Sequence, residues 1–283
     1  VNKAVKDARN GVIKVSKDVV LKSRLSIKAE KNASRLLEKS EMKKMSNEDT
    51  KPLKTEDLGI IFEKAICMKK DIPFLGSFKY SSSKAKDLAG KLEKWNYPHS
   101  LVHTAEGQGQ YDFTGGENES IKLSAKTNKR GGKVSPQILG QPTKNTFCKH
   151  FQLCETISLV DIKKYILENV ASMLDKYYKF TFDADILYYN EHKNKILFIK
   201  HKDDIPWKNY DICFTKDSID SCSDKYWNES SSISINKKNI GEFQIHNNRN
   251  CIKFRWNFEN LLTLFDKYFD IKLVYPPLTQ PIL

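Results

Sequence analysis

The spacing of apolar residues changes period along the chain, and each change predicts an element. Over 57–67, Leu58, Ile61, Phe62, Ala65 and Ile66 recur at three and four residues, one face of an amphipathic helix. Glu63 falls at the edge of that stripe or within it. Over 81–95 a second helical pattern begins at the run Ser81, Ser82, Ser83, which suits an N-cap, and Lys84, Lys86, Lys91 and Lys94 take its polar side. The period then drops to two. In 121–126, Ile121, Leu123 and Ala125 point one way and Lys122, Ser124 and Lys126 the other. A short aromatic strand carrying Asp112 and a turn at Gly115 and Gly116 precede it, which together predict a hairpin. Helical spacing returns over 157–178 through Leu159, Ile162, Ile166, Val170, Met173 and Leu174, and Tyr177, Tyr178 and Phe180 read as core. Segments 185–190 and 195–200 flank a polar turn as hairpin strands would. The serines around Ser230 read as loop within a mixed stretch, 207–232. Two more strands are expected over 233–258, around the turn signal Asn247, Asn248, Arg249, Asn250, then a closing helix over 258–269, with Pro276 and Pro277 ending regular structure. This order predicts an α/β or α+β fold: a central mixed β-sheet flanked by helices.

Residues 1–55 differ in kind. They are lysine-rich and contain no Trp, Tyr or Phe, with helical fragments (Ala4, Ala8; Ala33, Leu36, Leu37) and partial alternation over 12–27. They read as a basic arm or helical extension, either solvated or lying on phosphates, joined by a linker at 46–52. Residues 56–283 are then one domain, with a core at about 57–150 and a helix and strand region over 151–283. A chain of 283 residues, 39% hydrophobic and 29% charged, is long enough for a sizeable core. Its net charge of +13 calls for a polyanionic partner. No apolar run approaches the ~20 residues of a membrane span, and no secretory pattern opens the chain. Nucleic acid in the cytoplasm is the expectation. The cysteines Cys67, Cys148, Cys154, Cys213, Cys222 and Cys251 are scattered as reduced thiols would be. Cys148, His150 and Cys154 lack the second close pair of a zinc site, so incidental thiols are the default.

The charge has a local focus. Between Glu119 and Glu155 there is no acidic residue, while Lys122, Lys126, Lys129, Arg130, Lys133, Lys144 and Lys149 fall inside. Gln137 and Gln141 add amides suited to base edges, so Lys129, Arg130, Lys133, Gln137, Gln141 and Lys144 are candidate DNA contacts. Gln244, His246, Arg249 and Arg255 flank the later hairpin and are candidates for base contacts, although Arg255 would serve equally as a cation–π partner of Trp256. Phosphodiester hydrolysis needs a divalent cation and a positive group near the attacking water. Asp112 is the primary candidate ligand for Mg²⁺, with Glu63 from the helix, and Lys126 the candidate that positions water. The plain alternative makes Asp112 a turn-initiating residue and Lys126 a surface lysine.

Asp112, a turn, then Ser124-Ala125-Lys126 on an alternating strand resembles the PD-(D/E)xK nuclease superfamily, and Glu63 resembles the helix glutamate of many members. With the basic loop and the Gln244 to Arg249 segment, the chain looks most like a type II restriction endonuclease. The resemblance covers residues 57–144 well and the C-terminal half loosely. It implies a Mg²⁺-dependent, sequence-specific endonuclease of double-stranded DNA, with catalytic residues Asp112, Ser124, Lys126 and Glu63, paired in function with a DNA methyltransferase. The position that carries Glu or Asp in the family holds Ser124, so either Glu117 or Glu119 supplements the ligands or only one metal binds tightly. Two-fold DNA sites favour a homodimer. The competing readings are a non-catalytic DNA- or RNA-binding protein and a nicking repair nuclease.

Overall fold

The computed structural model describes residues 55–80, 82–105, 110–118, 120–129, 133–134, 143–247 and 250–276. The arm up to residue 54, with its linker, and Glu119, Arg130, Gln137, Gln141 and Arg249 lie outside the described residues. The first expected helix is α1, Thr55–Lys70, and its whole apolar stripe from Leu58 to Ile66 is buried. The second, α2, Ser82–Lys91, is shorter than expected, ending in a turn before Trp95. Strands β1 (Leu101–His103), β2 (Phe113–Gly115) and β3 (Lys122–Asn128) follow. Next come α3 (Lys144–Phe151), α4 (Leu159–Thr181) and the hairpin β4 (Asp185–Asn190) and β5 (Lys195–His201).

The second half adds β6 (Cys213–Phe214), β7 (Ser230–Ile235), β8 (Lys238–His246), β9 (Cys251–Trp256), α5 (Phe258–Leu264) and β10 (Phe269–Tyr275). Six strands form the expected mixed sheet in the order β1-β2-β3-β4-β5-β10. Its parallel pair is β3 with β4, and α3 and α4 supply the crossover that parallel strands require. The other four form a separate antiparallel sheet, β6-β7-β8-β9.

Three expectations are corrected here. The serines at Ser230 are strand, not loop: Ser231 is buried and its hydroxyl bonds both N–H and C=O of Lys216, while Ile233 and Ile235 enter the core. The closing helix stops at Leu264, and β10 follows as the sheet's edge strand, antiparallel to β5. Alternating Phe269, Ile271 and Leu273 carried that signal. The second sheet as a separate layer was not anticipated either.

Helix α4 lies between the sheets. Toward the second sheet Tyr177 stacks on Phe254 at 4.5 Å and Trp256 Nε1 donates to Thr181 Oγ1 at 3.0 Å. Toward the first, Tyr178 and Phe182 pack on Phe269. The opposite face of the first sheet buries Phe113, Leu123, Ala125, Leu187 and Tyr189 against α1 and α2. Helices, sheet, helix and sheet therefore form successive layers, with β3 inside. Among the described residues no helix is long and apolar enough to cross a membrane.

Candidate active site

The hairpin of β2 and β3 forms one side of the site. Asp112 stands one residue before β2, its backbone held by the N–H of Thr104, which donates to Asp112 O at 2.9 Å. Its Oδ2 accepts the backbone N–H of Ala125 at 2.7 Å, so the carboxylate is fixed against β3. Lys126 Nζ lies 3.8 Å from the same oxygen. Asp112, Ser124 and Lys126 are only 4%, 3% and 7% exposed. Two charged groups buried this deeply are a costly way to gain stability, and such sites are where chemistry is sought. The hairpin turn depends on Gly115: a Cβ there would meet Asn118 O at 2.3 Å.

Glu63 approaches from α1. Burial lifts its carboxyl above the ordinary value; a hydrogen bond with His103 pulls it down, the Asp112 charge pushes it up, and Lys126 opposes that push. The expected trio of Glu63, Asp112 and Lys126 is thus within mutual electrostatic reach. His103, on β1, was not singled out from the sequence. Its Nε2 lies 3.4 Å from Glu63 Oε2, and its Nδ1 accepts the N–H of Leu75 at 3.0 Å. A lone histidine at an inward position of the short run Leu101-Val102-His103 was the available signal.

Ser124 and Lys126 share a small cavity with Gln110, Tyr111, Phe180, Thr181 and Ala184, with room for about one water. The polar face of β3 is therefore covered rather than open. Lys122, on the same strand, turns outward: it bonds Asp183 at 2.8 Å and lies over the ring of Tyr111 at 4.6 Å. Glu117 is exposed in the turn beyond β2.

Among the described residues no three His, Cys, Asp or Glu side chains gather to hold a metal by themselves. Two carboxylates do stand close enough for the charge of Asp112 to raise the Glu63 carboxyl. Carboxylate oxygens are the donor chemistry of a hard divalent cation, which commonly takes one or two carboxylates and completes its shell with waters and substrate phosphate. All six cysteines are free.

The described candidates for DNA contact gather in part on the second sheet. Along β8 and β9, Glu242, Gln244, His246, Lys253 and Arg255 alternate with buried Phe243, Ile245, Ile252 and Phe254, so they line its polar face. Arg255 does not stack on Trp256; it pairs with Glu242, and so does Lys133. Burial pushes the Glu242 carboxyl up, but the hydrogen bonds and positive charges of Lys133 and Arg255 together hold it below the ordinary value. His246 Nδ1 is 3.5 Å from Glu229. Lys144 opens α3 behind the N-cap Thr143, and its backbone N–H donates to Asn250 Oδ1 at 2.8 Å, beside the β8–β9 turn. Lys129 follows directly after β3.

No family model matches the chain, and no solved structure matches it. The chain is 44% identical over 226 residues to the type II restriction enzyme CviAII of Paramecium bursaria Chlorella virus 1. The match takes in 78% of this chain and 64% of that enzyme, so the chain spans a little under two thirds of the length of the curated relative to which it is similar.

Proposed function

We propose that the chain is a type II restriction endonuclease, a site-specific deoxyribonuclease that hydrolyses phosphodiester bonds of double-stranded DNA with Mg²⁺. The observation that carries this reading is the buried pair Asp112 and Lys126 on one hairpin, with Glu63 beside it, in a chain similar to a restriction enzyme. Asp112 and Glu63 would hold the cation, which supplies charge to polarise the phosphoryl oxygen and activate water. Ala125 N–H keeps the Asp112 carboxylate in place. Lys126 would bring positive charge beside Asp112 to orient the attacking water and offset developing negative charge, with Ser124 its polar neighbour on the same strand.

On this reading Lys129, Arg130, Lys133 and Lys144 meet phosphates, and Gln137, Gln141, Gln244, His246, Arg249 and Arg255 meet base edges. A cytoplasmic setting, a homodimer on two-fold sites and functional pairing with a DNA methyltransferase belong to the same proposal.

Plasmid digestion tests it. With Mg²⁺ the wild type yields discrete bands, and Asp112→Asn and Lys126→Ala each lower the rate at least ~100-fold, the scale on which a preorganised charge acts. Absence of cutting by the wild type with Mg²⁺ or Mn²⁺ overturns the reading. Metal-independent binding without cutting would assign the chain to the non-catalytic DNA- or RNA-binding class.

A further inference from the structure

We propose that His103 is a positioning residue: it holds Glu63 Oε2 so that Glu63 Oε1 serves as the cation ligand beside Asp112. The inference rests on the reading of Glu63 as a ligand. Glu63 needs an anchor, because a long side chain has several rotamers, and only one of them presents a carboxylate oxygen beside Asp112.

His103 is built as that anchor. The ring is 2% exposed and stacked on Phe74 at 4.5 Å, with Phe113 at 5.1 Å on another side. Its backbone is in register with Phe113, next to Asp112. A backbone N–H can only donate, so the Leu75 N–H on Nδ1 leaves the proton on Nε2, which faces Glu63. A ring that merely filled the core would have no reason to aim its remaining N–H at a carboxylate. An N–H that fixes a ligating group from behind sets its orientation, and losing it typically weakens metal affinity 10- to 100-fold.

The test is titration of the full chain with Tb³⁺, read by luminescence, on wild type, Glu63→Gln, His103→Asn, His103→Gln and the double variant Glu63→Gln/His103→Asn. Asn retains the acceptor for Leu75 but loses the donor at Glu63; Gln reaches Glu63 with its amide. The expected result is affinity at least ~10-fold weaker for His103→Asn and Glu63→Gln, near wild type for His103→Gln, and no further loss in the double variant. Additive losses in the double variant, or equal losses from Asn and Gln at 103, overturn the positioning role. If Glu63→Gln binds Tb³⁺ as the wild type does, it is the ligand reading of Glu63 that fails. Imidazole ¹⁵N spectra of the wild type need no variant: an Nε2–H tautomer is expected at His103, and an Nδ1–H tautomer overturns the arrangement.

Discussion

Asp112 combines a structural bond with a candidate catalytic charge, and the two separate by substitution. Its Oδ2 accepts a buried backbone N–H from Ala125, so truncation removes that acceptor, at a cost of about 1–3 kcal/mol. Asparagine keeps a carbonyl oxygen in the same place. Urea denaturation should therefore find Asp112→Ala less stable than wild type by about 2 kcal/mol. Asp112→Asn should stay within roughly 1 kcal/mol while losing cleavage as completely. Equal stability of the two variants would mean that the Ala125 bond contributes nothing. The sequence placed Lys126 on the polar side of a strand, Asp112 before the hairpin turn and Glu63 at the edge of or within a helix stripe, and the fold brings these three candidates within electrostatic reach of one another. His103 was not legible there, because its partners Leu75 and Glu63 lie 28 and 40 residues upstream and meet it only after α1 docks on the sheet.

Among the elements, the long periodic ones were legible: α1, α4, the β4–β5 hairpin and the β8–β9 pair all fall close to where the apolar spacing put them. The errors came where neighbours decide. Strand β7 forms on poor strand residues because it lies between β6 and β8 and buries two isoleucines; the closing helix expected over 258–269 overruns Leu264 through the turn at Asp266–Tyr268 and takes in only the first residue of β10. The basic loop after β3, a candidate recognition loop in the sequence, carries no strand signal that predicts its pairing. Two backbone bonds stitch it to β9, Val134 N–H to Trp256 O at 2.8 Å and Trp256 N–H to Val134 O at 2.7 Å, and Glu242 clamps Lys133 and Arg255 alongside. Glu242→Gln should cost about 2 kcal/mol, since it weakens two charge-assisted bonds at a buried acceptor. The folded Glu242 carboxyl lies below its ordinary value, so the stabilisation is complete above the ordinary carboxylate range and is lost as the pH falls through the lower, folded value. Denaturation midpoints of wild type and variant should converge on acidification; a constant gap would remove ionisation from the clamp.

At the scale of the molecule, β3 links the candidate chemistry to the candidate recognition surface. Ser124 and Lys126 sit on it, Lys129 follows it, and four residues later Lys133 and Val134 are attached to the polar face and edge of the second sheet. A duplex bound along that face would thus pull on the same segment that carries Lys126. On the proposed reading the net charge of +13 would supply the long-range attraction to DNA, and salt would measure how many phosphates are engaged. With cleavage disabled by Asp112→Asn, the logarithm of the association constant should fall linearly with log salt, by about 0.9 for each phosphate neutralised. Lys144 and Lys133 should then differ. Lys144→Ala should reduce the slope by about 0.9, the full effect of one phosphate contact. Lys133→Ala should reduce it by less, because its ammonium must first leave Glu242 to reach DNA. Equal reductions would show that Glu242 releases Lys133 on binding, and an unchanged slope in both would place the phosphate contacts elsewhere on the chain.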